Sequence, residues 1–320
     1  MCTAINFKGV LNYFGRNLDF EYSFNEKVII TPRNFQFRFL KGKHYAIIGM
    51  GVEEENYPLY FDAANEKGVC MAGLNFPDNC AYKQEREGYK NIPSYDFISY
   101  ILSTCKDMDE VRKALKNINI TDTPFSAKLT PSPLHWIISF KGESLTVESV
   151  AEGIKVYENP IGVLTNNPPF DYHISNLSNY MNLSAAPAEN RFAPDTDIKE
   201  YSRGMGAMGL PGDLSSSSRF VRAAFVKFNS VCEDTESGSI SQFFHILESV
   251  GQVRGANRLQ GNVYEITVYS SCINADKGIY YYKTYDNSEI NAVDMNREEL
   301  DGRGLICYPL KTQTQINYQN

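Results

Sequence analysis

Short β-rich runs separated by turn residues recur along this chain without the regular strand-helix alternation of a parallel sheet. A hairpin pattern stands near the middle, where two such runs flank a turn at Lys141-Gly142. The predicted strands cover residues 4–7, 28–31, 45–50, 69–76, 134–140, 145–150, 162–164 and the alternating tail 263–295. This spacing predicts antiparallel sheets covered by helices, an α+β fold.

Helical spacing of apolar residues falls between these runs. The predicted helical segments are 93–102, 107–115, 171–182, 217–230 and 240–250. Asp107 and Glu110 form a capping-box pattern at the start of the second segment. Residues 186–216 are rich in Pro, Gly, Asp and Ser and are too long for an ordinary connection, which predicts a functional loop or an interface arm.

Composition excludes several classes of protein. With 320 residues and 42% apolar side chains, we expect a folded chain with a substantial core, organised as a single domain over 1–320. A net charge of -7 without a long basic run argues against nucleic acid as a partner. No apolar run reaches the length of a membrane span, and the seven scattered cysteines fit free thiols, so we expect a cytoplasmic protein without membrane insertion.

Two weak motifs do not predict a cofactor or a metal. Residues 204–209 match GxGxxG, but a polar segment precedes them and Leu210-Pro211-Gly212 would break the required helix. The histidines are isolated from one another and from acidic or thiol partners at ligand spacing, so each is interpreted as a core or surface residue. These residues are His44, His135, His173 and His245.

Cys2 is the residue with the most specific chemistry. Removal of Met1, which a small second residue favours, would leave a thiol and a free α-amine on one residue. An α-amine, with an ordinary pKa of roughly 7.7 to 8.0, can act as a general base near neutral pH for a neighbouring thiol nucleophile. The alternative is that Cys2 is an accident of a loosely ordered terminus.

The segment Tyr13 to Asp19 supports the catalytic interpretation of Cys2. It follows the first predicted strand and is expected to pair with it, which brings Arg16 and Asp19 near the terminus. A guanidinium would favour the thiolate, and a carboxylate could hold the α-ammonium. An exposed Arg/Asp pair in a hairpin is the alternative.

Taken together, the ordered motifs of the whole chain resemble those of the choloylglycine hydrolase family, which includes conjugated bile acid hydrolases and penicillin V acylases. The matching motifs are residues 1–3, 14–19, 65–68, 72–77, 134–136, 163–168, 209–213 and 218–220. The resemblance implies an N-terminal nucleophile hydrolase with an αββα sandwich of two antiparallel sheets. It further implies assembly into a homotetramer through the loop of about 186–216, and a mature chain that begins at Cys2 after removal of Met1 alone.

The resemblance also implies roles for individual residues. Cys2 would be the nucleophile, Arg16 would lie beside its sulfur, and Asp19 would hold the α-amine. Asn75 and Asn166 would contribute to the oxyanion hole, and Arg219 would complete the polar network near Cys2. Neutral amide donors suit an oxyanion because they stabilise it without competing for the thiolate.

Conjugated bile acids are the substrates that the resemblance favours, with hydrolysis of their amide to glycine or taurine. Penicillin V acylases tend to carry tyrosine where Asn75 stands. The alternatives are a penicillin V acylase and a steroid-binding member without turnover. A steroid needs a large apolar cleft, and the side chains that could line one are Leu18, Tyr22, Phe24 and Phe61, each of which could equally be ordinary packing. The acidic segment Val52 to Asn56 lies where relatives place apolar sterol contacts, which predicts an altered substrate preference.

Overall fold

The computed structural model describes residues 1–320 and contains sixteen strands and five α-helices. The strands are β1 Cys2–Lys8, β2 Asn12–Phe20, β3 Lys27–Thr31, β4 Ile47–Glu54, β5 Tyr57–Asn65, β6 Cys70–Asn75, β7 Lys90–Pro93, β8 Ile118–Thr121, β9 Leu134–Phe140, β10 Glu143–Val150, β11 Gly153–Glu158, β12 Val163–Leu164, β13 Ile266–Asn274, β14 Ile279–Thr284, β15 Asn287–Asp294 and β16 Ile306–Pro309. The helices are α1 Phe97–Thr104, α2 Met108–Leu115, α3 Phe170–Asn176, α4 Ser216–Phe228 and α5 Glu236–Glu248.

Two antiparallel sheets form the centre of the molecule. One has six strands in the order β12-β1-β2-β13-β14-β15, and the other has eight in the order β11-β10-β9-β6-β5-β4-β3-β16. The small pair β7-β8 is parallel and stands apart from both sheets. The predicted α+β fold with antiparallel sheets is confirmed.

Two apolar clusters hold the layers together. The larger, with 39 buried residues, fills the space between the sheets and extends under α4 and α5. The smaller, with 25 buried residues, joins the outer face of the eight-stranded sheet to α1 and α2. The order of layers is therefore helix, sheet, sheet, helix, as the resemblance implied.

Local sequence signals explain several element boundaries. The Asp107 side chain accepts a hydrogen bond from the Glu110 backbone N–H at 2.9 Å and so caps α2, as the capping pattern predicted. Other elements had no clear local signal, including β5, β7, β8, β11 and β16. Strand β5 is buried along nearly its whole length because both of its faces are covered. It therefore lacks the alternation of apolar and polar residues that identifies a half-exposed strand.

The hairpin of β1 and β2 places the N-terminus beside the predicted charged residues. Cys2 pairs with Leu18 and Ala4 pairs with Arg16 across this hairpin. Gly15 allows β13 to approach on the other side of β2, because a Cβ at that position would lie 2.0 Å from the Ser271 carbonyl oxygen.

Segment 186–216 contains one short 3₁₀ turn, Met205–Ala207, before the first turn of α4. Gly204 and Gly209 adopt left-handed backbone conformations, with φ of +83° and +100°. No strand leads into this glycine motif, so conformational freedom and not phosphate binding explains it. None of the helices combines the length and apolar character that a membrane crossing requires.

Candidate active site

A cavity of about 560 Å³ opens beside the ends of β1 and β2. Its wall is largely apolar, with 16 hydrophobic residues among the 25 that line it. Eight of the ten predicted site residues line this cavity: Cys2, Arg16, Leu18, Asp19, Tyr22, Phe24, Phe61 and Asn75. A volume of this size suits a drug-sized or steroid-sized ligand.

Cys2 lies at the polar end of the cavity and is 4% exposed. Its backbone N–H donates to Asn166 Oδ1 at 2.8 Å, and its carbonyl oxygen accepts a hydrogen bond from Arg219. Met1 precedes it, and the Met1 ammonium donates to the Asp19 carbonyl oxygen at 2.7 Å and contacts the Glu265 carboxylate. The terminal residue is thus ordered, contrary to the frayed-terminus alternative.

Arg16 is a buried cation on the same side of the cavity. Its Nη1 donates to the carbonyl oxygens of Phe61 at 3.2 Å and Gly73 at 2.5 Å, while its Nη2 has no hydrogen-bond partner. Burial alone would lower the pKa of Arg16, but negative charge at Cys2 and other nearby groups outweighs it and raises this pKa. The side chain therefore remains a cation and can stabilise a thiolate at Cys2.

Asp19 is completely buried. Its Oδ1 accepts from Thr267 Oγ1 at 2.6 Å, whereas Oδ2 has no hydrogen-bond partner and lies 3.9 Å from Arg219 Nη1. Burial raises the pKa of Asp19 to about 6, and the positive charges of Arg219 and the N-terminal ammonium act in the opposite direction. The free Oδ2 leaves an acceptor available beside the N-terminus.

Arg219 and Asn166 stand behind Cys2 and do not line the cavity. Arg219 Nη2 donates to Asn166 Oδ1 at 2.8 Å, and Nη1 donates to Thr3 Oγ1 at 2.7 Å. Asn166 Nδ2 donates to the Asn75 carbonyl oxygen at 2.7 Å. Arg219 is in the first turns of α4, whose N-terminus is capped by the Ser215 hydroxyl. A connected set of hydrogen bonds therefore joins Arg219, Asn166 and Cys2.

Asn75 ends strand β6 and lines the cavity itself. Asn166 lies 6% exposed, so Asn75 is the more accessible of the two amides predicted for the oxyanion hole.

The four predicted apolar residues line the cavity, and three of them form an aromatic group at its mouth. Phe24 contacts Tyr22 and Phe61, with ring centroids 5.2 and 5.6 Å apart. Tyr22 is 55% exposed, so its ring lies at the rim. Another part of the wall was not predicted because it comes from segments far from the N-terminal hairpin: Tyr95, Ile98, Phe125, Leu129, Pro131, Pro133, Leu134 and Trp136.

The acidic segment does not face the cavity, contrary to the expectation from sequence. Val52 lines the cavity, while the three glutamates that follow it do not. Glu53 pairs with Lys27 at 3.2 Å, and Glu55 pairs with Arg38 at 3.4 Å. Alternation along β4 turns the Glu53 side chain to the face opposite Val52, while Glu54 is the last residue of the strand and Glu55 lies in the turn to β5.

Glu265 was not predicted as a site residue. It is 4% exposed, contacts the Met1 ammonium and accepts from Asn257 Nδ2 at 2.6 Å. No local pattern marks it, because its contact with the N-terminus joins residues 264 positions apart.

Comparison with known proteins agrees with this geometry. Residues 2–308 match the model of the linear amide C–N hydrolases, choloylglycine hydrolase family. The chain belongs to this family. Membership makes it an amide C–N hydrolase by class.

Three relatives span the chain almost completely. It is 52% identical over 319 residues to a bile salt hydrolase/transferase of Lactiplantibacillus plantarum, covering 98% of each chain. It is 43% identical to a bile salt hydrolase/transferase of Clostridium perfringens, with all of both chains covered. It is 37% identical to a conjugated bile acid hydrolase of Lactobacillus gasseri, covering 96% of this chain and all of the relative.

Solved structures give the same fold. A crystal structure of conjugated bile acid hydrolase from Clostridium perfringens superposes with a TM-score of 0.92 at 41% identity, covering both chains completely. Penicillin V acylase from Agrobacterium tumefaciens superposes with a TM-score of 0.76 at 18% identity, covering 97% of this chain and 92% of that one. The second likeness is evidence for the fold alone.

Proposed function

We propose that this protein hydrolyses the amide bond of glycine- or taurine-conjugated bile acids, with Cys2 as the nucleophile. The observation that carries the proposal is the position of Cys2 at the polar end of a largely apolar 560 Å³ cavity, next to the buried Arg16. The relatives named above as bile salt hydrolases support the choice of substrate.

Activation requires the loss of Met1, which converts the Cys2 amide nitrogen into an α-amine. The unpartnered Asp19 Oδ2 would accept a hydrogen bond from that amine in its protonated form. Arg16 stabilises the thiolate by its charge, and its Nη2, which has no hydrogen-bond partner, is not committed to another group.

Catalysis then follows acyl transfer through a thioester. The Cys2 sulfur attacks the amide carbon, and the developing oxyanion accepts hydrogen bonds from the Asn75 amide at the cavity wall and from the second Nδ2–H of Asn166. The first Nδ2–H of Asn166 donates to the Asn75 carbonyl oxygen. The C–N bond breaks as the α-ammonium of Cys2 protonates the leaving amine. Water, deprotonated by the same α-amine, adds to the thioester carbon, and the C–S bond breaks to release the free bile acid and the thiolate.

The apolar wall supports a steroid as the acyl group. Leu18 pairs with Cys2 across the hairpin, and Tyr22, Phe24 and Phe61 form the aromatic group at the mouth. Burial of a sterol against these side chains stabilises the complex by about 25 cal/mol for each Å² of apolar surface removed from water. We assign them to substrate binding.

Transfer of the acyl group to an amine is a second candidate activity. The Lactiplantibacillus plantarum relative is named hydrolase/transferase. In this reaction an amine attacks the carbon of the same thioester in place of water, and the α-amine of Cys2 accepts the proton that the attacking nitrogen loses. The C–S bond then breaks, which releases the new amide and restores the Cys2 thiolate.

We further propose that the chain forms a homotetramer in the cytoplasm, through segment 186–216. Phe192 and Tyr201 of this segment are 96% and 80% exposed in the single chain, which supports its burial against another copy. The unpaired state of all seven cysteines fits a reducing compartment. Light scattering of the Phe192→Ser/Tyr201→Ser variant should give a smaller particle than the parent, and an unchanged tetramer would refute the role of this segment.

The substrate assignment is tested by amine release from glycocholate, taurocholate and penicillin V. We expect release from the bile conjugates by the parent and none by the folded Cys2→Ala variant. Release from penicillin V alone would identify an acylase instead. Release from none of the three, by protein whose intact mass shows that Met1 is gone, would favour a binding role and refute the proposal.

A further inference from the structure

Where strand β12 ends, the backbone groups of the next two residues form hydrogen bonds with side chains and not with a neighbouring strand. Val163 and Leu164 pair with β1, but the next two residues leave the sheet. The Thr165 carbonyl accepts from His135 Nε2 at 3.0 Å, and the Asn166 carbonyl accepts from His173 Nε2 at 2.9 Å. The Asn166 N–H donates to Ser216 Oγ at 2.8 Å. Because this backbone is buried, these bonds satisfy groups that water cannot reach.

Both imidazole rings are themselves fixed. His135 is stacked on Phe76 with ring centroids 4.3 Å apart and an angle of 5° between the planes. His173 is stacked on Phe220 of α4 at 4.7 Å and 16°. Both histidines are fully buried. The direction in which each Nε2–H points is therefore set by packing as well as by its hydrogen bond.

The His135 ring has a second anchor on the neighbouring strand. His135 Nδ1 lies 3.3 Å from Glu148 Oε1, and the two residues are opposite each other in the β9-β10 hairpin. Glu148 Oε1 also accepts from the backbone N–H of Phe170 at 2.9 Å, which ties the start of α3 to the same group.

His173 carries its single proton on Nε2. Its Nδ1 has no hydrogen-bond partner, and burial lowers the pKa of His173 to about 4. The ring is therefore neutral near pH 7, and its bond to the Asn166 carbonyl requires the proton at Nε2.

The backbone held by these rings carries a residue of the proposed site. Asn166 Oδ1 accepts from the Cys2 backbone nitrogen and from Arg219 Nη2, each at 2.8 Å. A shift of the Asn166 backbone would move its amide relative to the Cys2 sulfur. Misplacement of a catalytic group by about 1 Å can cost on the order of 10²-fold in rate.

We propose that His135 and His173 are positioning residues. They hold the Thr165-Asn166 backbone in place and so fix the position of the Asn166 amide relative to the Cys2 sulfur. The inference rests on the proposed function, since it gives Asn166 its role in stabilising the oxyanion. Neither ring touches the substrate cavity, so their effect acts through Asn166.

The test compares His173→Phe with His173→Gln. Phenylalanine keeps a ring stacked on Phe220 but removes the donor, whereas glutamine offers an N–H near the position of Nε2. His173 is preferred to His135 for this test because removal of His135 would leave the buried Glu148 without its partner. The readouts are kcat and KM for taurocholate, the rate of Cys2 alkylation by iodoacetamide, and a crystal structure of each variant.

We expect His173→Phe to lower kcat by about 10- to 100-fold with KM within about twofold, and His173→Gln to recover most of the loss. Alkylation of Cys2 should stay within about threefold of the parent in both, because displacement of iodide develops no oxyanion. The crystal structures should show the Asn166 Oδ1 to Cys2 N contact lengthened in His173→Phe and kept in His173→Gln.

An unchanged kcat in His173→Phe, or an equal loss of kcat and alkylation in both variants, would overturn the proposal. If the phenylalanine variant does not fold, His173→Asn replaces it, because its shorter amide cannot reach the Asn166 carbonyl. If the parent hydrolyses no bile conjugate, the proposed function fails. The contact between Asn166 and Cys2 in the two crystal structures then still decides whether His173 positions Asn166.

Discussion

The buried pair of Asp19 and Arg219 gives the most quantitative prediction. The two side chains are completely buried, and their charged atoms are 3.9 Å apart. Arg219→Met would remove the only side-chain cation within ion-pair distance of Asp19, and the loss of one partner from a buried pair costs about 3 to 5 kcal/mol. Asp19→Asn should cost less, about 1 to 3 kcal/mol, because Arg219 keeps its bonds to Cys2, Thr3 and Asn166.

The double variant separates charge pairing from simple loss of packing. The double variant has neither charge, so it contains no buried carboxylate without a partner. The losses in free energy of unfolding of the two single variants should therefore sum to about 1 to 3 kcal/mol more than the loss in the double variant. Urea unfolding followed by fluorescence measures the three free energies of unfolding.

An exposed ion pair provides the control for this cycle. Arg112 and Glu158 lie 2.8 Å apart, with 34% and 71% of their side-chain surfaces exposed. Their coupling energy should be no more than about 1 kcal/mol. Additive costs for Asp19→Asn and Arg219→Met, within about 0.5 kcal/mol, would refute the claim that these two buried charges depend on each other.

Three further predictions follow from the site and its surroundings. Arg16→Leu removes the cation beside Cys2, so the rate of Cys2 alkylation should reach its half-maximum at a higher pH; an unchanged pH profile would count against the role of Arg16. The pKa of His173 falls from 6.5 to about 4 on folding, so its contribution to stability is complete above pH 6.5 and lost as the pH falls to 4, an effect of roughly 3 kcal/mol. His173→Gln should lack this part of the pH dependence in urea unfolding, and parallel curves for parent and variant would contradict the assignment. Glu54→Gln/Glu55→Gln should leave KM for taurocholate within about twofold, because neither side chain lines the cavity; a larger change would restore the sequence-based expectation.

Local sequence patterns predicted the elements that form through local interactions. The Asp107 cap, the hairpin around Lys141-Gly142 and the helical spacing in α5 depend on neighbours within a few positions, and the structure contains all three. Strand β16 depends on pairing with β3, which lies more than 270 positions earlier, and no local pattern marks it.

The same distinction applies to the site. Cys2, Arg16 and Asp19 belong to one hairpin, so pairing of adjacent strands brings them together. His135 was interpreted as an isolated histidine because sequence spacing hides its partner Glu148. The predicted hairpin would have identified this partner. If Phe140 pairs with Glu143, the residues five positions farther from the turn on each strand, His135 and Glu148, also face each other. His173 lies only seven positions after Asn166, but it belongs to α3 and no strand pairing relates the two residues. Glu265 lies 264 positions from the terminus that it contacts, so neither residue could be found in this way.

The role of Cys2 is tested most directly by comparing its alkylation with the loss of activity. Iodoacetamide is added to the parent in small steps, and each sample is divided between peptide mass mapping and an assay of taurine release from taurocholate. Cys70, Cys105 and Cys272 are buried, and burial raises the pKa of each, so they should react slowly. Activity should fall in direct proportion to the fraction of Cys2 modified and reach zero when that fraction is complete. Taurine release that continues after full modification of Cys2 would contradict its role as the nucleophile.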